Sequence, residues 1–64
     1  MTVVEYCCRV QEALLAKQPA DPLEGTWFSD TGRILRAVTL AMECRNERAL
    51  EIAEDVAERW NLVV

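Results

Sequence analysis

The 64-residue chain has no histidine. This removes the commonest general acid/base and the commonest metal ligand. Serine or cysteine triads built on an imidazole cannot form within one chain. Glycine is nearly absent as well. With Gly25 and Gly32 alone, neither a G-x-G-x-x-G loop nor a Walker loop can be written. No apolar run approaches the roughly 18 residues of a membrane-spanning helix, and the N-terminus lacks the basic-then-apolar pattern of a secretory signal. The chain is therefore expected to be cytoplasmic. Positive charge is sparse and scattered over Arg9, Lys17, Arg33, Arg36, Arg45, Arg48 and Arg59. Against 11 acidic residues this leaves a net charge of −4. Such a field repels phosphate backbones and anionic lipid surfaces, so neither nucleic acid nor membrane is an expected partner.

The three cysteines are odd in number, and two are adjacent (Cys7 and Cys8). They make a poor disulfide framework and fit a reducing compartment. Neighbours on a helix point about 100° apart, which also suits chelation poorly. They read as small apolar residues, and no metal or cofactor is expected.

Hydrophobic residues make up 52% of the chain. A domain this small buries only about 60% of the surface that its unfolded chain exposes. A second chain is the natural cover for part of that surplus. The expected fold is all-α, a single small helical domain over residues 1–64: a helix, a long proline-containing loop and a helical hairpin, assembled as a homodimer.

The first helix runs from Thr2 to about Lys17. Thr2-Val-Val-Glu5 has the capping-box spacing, and Val3, Cys7, Val10 and Leu14 recur at helical intervals. Pro19 and Pro22 stop it. The loop from about Gln18 to Ser29 carries Leu23, Trp27 and Phe28, unusual cargo for a solvated linker. Ser29, Asp30 and Thr31 are candidate N-caps for a second helix. Its apolar face is written as Ile34, Leu35, Val38, Ala41 and Met42. A third helix runs from about Glu47 to Trp60, with Asn46 as its N-cap and Ala49, Ile52, Ala53, Val56 and Trp60 inward. Leu62, Val63 and Val64 form an apolar tail.

No glycine or proline follows Gly32, and Leu35, Val38, Met42, Arg45, Ala49, Ile52 and Val56 keep a heptad-like register. One long helix over residues 30–60 is therefore an alternative. The stretch Cys44-Arg-Asn-Glu-Arg-Ala-Leu-Glu-Ile-Ala-Glu resembles the turn and second helix of a tetratricopeptide repeat. The segment before it departs from that pattern at Arg33 and Arg36, and no second repeat follows. The resemblance implies only a helical hairpin.

Glu47, Glu51, Glu54 and Glu58 are spaced four, three and four, which places four carboxylates in one stripe. Like charges at this spacing cost about 0.2–0.5 kcal/mol each. A solvated face explains the stripe, and so does docking on a basic partner. Trp27 and Phe28 serve equally as core or contact residues, since tryptophan is enriched at binding hot spots, whereas Trp60, at a stripe position, is expected in the core or in self-association. The candidate partner-binding residues are thus Trp27, Phe28, Glu47, Glu51, Glu54, Glu58, Trp60, Leu62 and Val63. No catalytic residue is assigned.

The expected function is non-enzymatic: a small acidic regulator, adaptor or inhibitor that docks on another protein, a style shared by phage-encoded inhibitors. One alternative is a structural homo-oligomer. Another is a helix-turn-helix DNA binder, although a glutamate-rich recognition helix docks poorly on phosphates.

Overall fold

A computed structural model describes residues 1–21, 23 and 25–64. It shows three α-helices and, among the described residues, no strand: α1 is Val3–Leu15, α2 is Gly25–Met42 and α3 is Asn46–Arg59. The end of α1 meets the start of α2, where the Trp27 indole N–H donates to the Leu14 carbonyl at 3.0 Å. The start of α2 meets the end of α3 through Asp30, Arg59 and Trp60. The helices therefore alternate in direction, and α1 runs parallel to α3. Cys7 of α1 lies against Ala49 of α3, with its Sγ 3.9 Å from the Ala49 carbonyl oxygen.

Helix α1 forms as the capping box predicts. The Glu5 backbone N–H donates to Thr2 Oγ1 at 3.1 Å. The Glu5 carboxylate reaches back to the Thr2 hydroxyl, at 3.3 Å, rather than to its backbone. Cys7, Val10 and Leu14 are buried on one stripe. The helix ends two residues before Lys17. Pro19 follows in irregular backbone, while Pro22, the second expected breaker, lies outside the described residues.

Helix α2 departs from expectation in two ways. It begins at Gly25, so Trp27, Phe28, Ser29, Asp30 and Thr31 are helical and the connection is shorter than the sequence implied. Ahead of it, the Leu23 N–H donates to the Asp21 carboxylate at 3.1 Å, an Asx turn. Gly25 has φ +51°, where a Cβ would be strained. That glycine marks the boundary in place of the expected N-caps. The buried face is also rotated. Trp27, Ile34, Ala37, Leu40 and Ala41 point inward, whereas Leu35 and Met42, both expected in the core, face solvent. The apolar residues of α2 outline two stripes, and the bundle buries the one that carries Asp30 toward α3.

The continuous-helix alternative fails at residues 43–45. Cys44 takes φ +63°. Its N–H donates to the Ala41 carbonyl at 3.1 Å, and the Arg45 N–H donates to the Leu40 carbonyl at 2.9 Å. This is a Schellman ending, here without the usual glycine. Asn61 closes α3 the same way at φ +51°, with the Leu62 N–H on the Ala57 carbonyl. Asn46 is the first helical residue rather than the N-cap. The capping position falls to Arg45, which makes no side-chain capping bond.

The core joins all three helices: Cys7, Val10 and Leu14 from α1; Trp27, Ile34, Ala37, Leu40 and Ala41 from α2; Ala49, Ile52, Ala53 and Val56 from α3. Four of the twelve are alanines, which let helix axes approach closely. Trp27 is the largest side chain of this core. Among the described residues, no helix is long and apolar enough to cross a membrane.

Candidate functional site

The end of the bundle where α2 begins is built around a carboxylate. Asp30 is 0% exposed, which for an acid requires full pairing. Arg59 Nη1 lies 3.2 Å from each of its oxygens. Arg33 Nη1 donates to Oδ1 at 3.3 Å, and the Trp60 indole N–H donates to Oδ2 at 2.7 Å. Both arginines continue outward to Asp55, Arg33 at 2.8 Å and Arg59 at 3.4 Å. Two carboxylates and two guanidiniums thus form a neutral network. The hydrogen bond from Arg33, aided by charge from Arg33 and Arg59 and opposed by desolvation, holds the Asp55 carboxyl below its ordinary pKa. The same hydrogen bond is the largest cause raising the pKa of Arg33. With its lone pairs directed at three donors, Asp30 acts as a clamp between α2 and α3.

The acidic stripe of α3 faces the other way. Glu47, Glu51, Glu54 and Glu58 are all exposed on the side opposite Ala49, Ile52, Ala53 and Val56. Glu51 is held by Arg48 at 2.7 Å; at 61% and 69% exposure this pair contributes little to stability. The stripe's C-terminal half borders a shallow groove lined by Tyr6, Glu54, Ala57, Glu58, Leu62 and Val63. After Asn61 turns the chain, the tail carries Leu62 against the core and Val63 into solvent. On its other side, Val63 and Val64 border a second shallow depression with Arg9, Glu12 and Ala13 of α1. The Tyr6 hydroxyl has a raised pKa, caused first by burial and then by the charges of Glu54 and Cys7.

The predicted contact residues divide accordingly. Glu54, Glu58, Leu62 and Val63 come together around one groove, with Glu47 and Glu51 continuing its acidic edge. Trp27 is in the core and Trp60 is half-buried on Asp30. Phe28 is 55% exposed and lies on α2, away from the groove. The sequence reading missed Tyr6 and Asp30. Tyr6 precedes Val10 and Ala13 at helical spacing, which is a readable signal. Asp30 pairs across 29 residues with Arg59, and no local pattern announces that. The three cysteines are free: Cys7 buried, Cys8 half-buried and Cys44 exposed.

Compared with known proteins, the chain matches no family model, and no curated protein or solved structure matches it.

Proposed function

We propose that the chain is a non-enzymatic binding protein. Its acidic groove receives a basic, partly apolar segment of another protein, as a regulator, adaptor or inhibitor does. One observation carries this reading: Glu54 and Glu58 rim a groove whose floor is Tyr6, Ala57 and Leu62, with exposed Val63 at its mouth. Carboxylates steer a cationic partner. The apolar floor supplies the desolvated contact that charge alone does not provide. Three free thiols favour the reducing cytoplasm as its place of action.

The test is affinity capture from host extract with the wild type, Glu54→Lys/Glu58→Lys and Val63→Asp. A basic protein is expected on the wild type, lost with the double reversal and weakened with Val63→Asp. Equal capture by all three would show that the acidic edge serves solvation alone.

A second reading, a homo-oligomer that covers its own apolar surplus, is favoured by the outward face of α2. That face holds Phe28, Leu35 and Met42 in solvent.

A further inference from the structure

We infer that the outward face of α2 is a self-association seam, on which a second copy of the chain packs its own α2 antiparallel. The inference rests on the homo-oligomer reading and is independent of the acidic groove.

Six exposed residues define the seam: Gly25, Phe28, Gly32, Leu35, Thr39 and Met42. Their spacing is three, four, three, four, three, the interval of a helix pair that keeps one face together. Large and small residues alternate without exception. Phe28, Leu35 and Met42 are 55%, 57% and 70% exposed. Thr39 adds no free hydroxyl, because its Oγ1 donates to the Leu35 carbonyl at 3.1 Å and leaves its methyl available. Gly32 has no role within this chain that demands glycine. A Cβ built there meets nothing within 4 Å, and glycine inside a helix weakens it. A closely approaching outside helix gives that glycine a purpose.

The alternation selects the occupant. A parallel pair would set small against small and large against large, leaving gaps beside clashes. An antiparallel pair sets every large residue on a small one: Phe28 on Thr39 of the second copy, Leu35 on its Gly32 and Met42 on its Gly25. A twofold axis then repeats each contact, as an isologous interface requires. Charge selects the same register. It brings Arg36, on the flank of the seam, beside Ser29 of the second copy, whereas sliding by one heptad step would oppose Arg36 to itself. The seam also carries no acid, so two chains of net charge −4 meet here without opposing carboxylates, unlike at the α3 face.

The 18 residues of α2 give a seam roughly 27 Å long at about 1.5 Å per residue. Covering half the girth of a helix about 10–12 Å wide along that length removes roughly 450 Å² per copy, or about 900 Å² for the pair. That lies just under the size of about 1,000 Å² at which specific interfaces begin. An interface of this size is expected to give a weak, concentration-dependent dimer.

Sedimentation velocity from about 5 to about 500 µM, a span that brackets micromolar affinity, tests the seam with the wild type, Leu35→Glu and Gly32→Ala. The expected result is a reversible dimer. Leu35→Glu, an exposed change that keeps the helical circular dichroism, should weaken it about a hundredfold, as loss of a central contact does. Gly32→Ala should weaken the dimer while raising the melting temperature of the monomer. A dimer that ignores Leu35→Glu overturns the seam and leaves the homo-oligomer reading standing. A monomer throughout the range overturns both. If Leu35→Glu then abolishes capture of a different protein, the face belongs to that protein instead.

Orientation has its own test in a Cys8→Ser/Cys44→Ser background. Residues 28 and 39 are about 16 Å apart along one helix, beyond the roughly 7 Å limit for a disulfide. Phe28→Cys/Thr39→Cys should therefore oxidise to a covalent dimer, and Thr39→Cys alone should not. Equal cross-linking by Thr39→Cys alone would mean a parallel pair and overturn the proposal.

Discussion

The two ends of the bundle are held by different physics. Where α2 begins, directional side-chain bonds do the work: the Trp27 indole on the Leu14 carbonyl, and Arg33, Arg59 and Trp60 on Asp30. Where α2 turns into α3, small apolar residues and backbone geometry suffice. Cys7 rests on Ala49, and Cys44 accepts a left-handed conformation so that Arg45 can bond Leu40. The first end specifies which helices meet and at what height, since a buried carboxylate tolerates no partner shifted by a turn. The second end is short of volume and slightly strained. It should tolerate change, and even improve with it.

The sharpest way to break this contrast is Trp27→Ala. It empties the largest core side chain and frees the Leu14 carbonyl. A loss of about 3–5 kcal/mol is expected, most of what a domain of this size possesses. Helical circular dichroism at room temperature should fall well below that of the wild type. Asp30→Ala comes next. Removing the hub of a buried ion network costs about 3–5 kcal/mol where both partners are buried. Arg33 and Arg59 are 38% and 45% exposed and can rehydrate, so about 2 kcal/mol is expected in urea unfolding. A variant that unfolds like the wild type would demote the clamp to ornament.

At the other end the sign should reverse. Cys44→Gly removes the Cβ from a residue at φ +63° and should stabilise the chain by about 0.5–1 kcal/mol, read as a rise in melting temperature. The smallest effect is electrostatic. Asp55 has a depressed folded pKa, so its contribution is present above its ordinary value of 3.8 and is lost as pH falls through the lower folded value. Asp55→Asn should lower stability slightly at neutral pH and flatten the acid limb below about pH 4, so that variant and wild type converge in acid. High salt should mimic part of that flattening, because the pair is exposed.

The sequence announced the second kind of end better than the first. Thr2 and Glu5 marked the start of α1, and Cys7, Val10 and Leu14 marked its buried stripe, because both signals are local. The three-helix, all-α character followed from the same periodicity. The groove was half legible. The acidic spacing of α3 showed in the sequence, but its meeting with Tyr6 and the tail depends on α1 and α3 lying side by side. Asp30 was misread as a cap since Ser29, Asp30 and Thr31 look like a helix start, and only Arg59 and Trp60, about thirty residues later, reveal its use. The face of α2 was misassigned because Leu35 and Met42 keep a heptad as regular as the buried one. Periodicity alone does not say which of two apolar stripes has a neighbour.

The clamp at Asp30 also has a place in time. A ribosome delivers α1 and α2 before the residues that satisfy this carboxylate. In a hairpin of the first two helices alone, the face that carries Asp30 toward α3 lies open to water, and the acid stays hydrated beside Arg33. The acid loses its water only when α3 docks, and Arg59 and Trp60 arrive at the end of that same helix, so the cost of dehydration and its compensation come in one step.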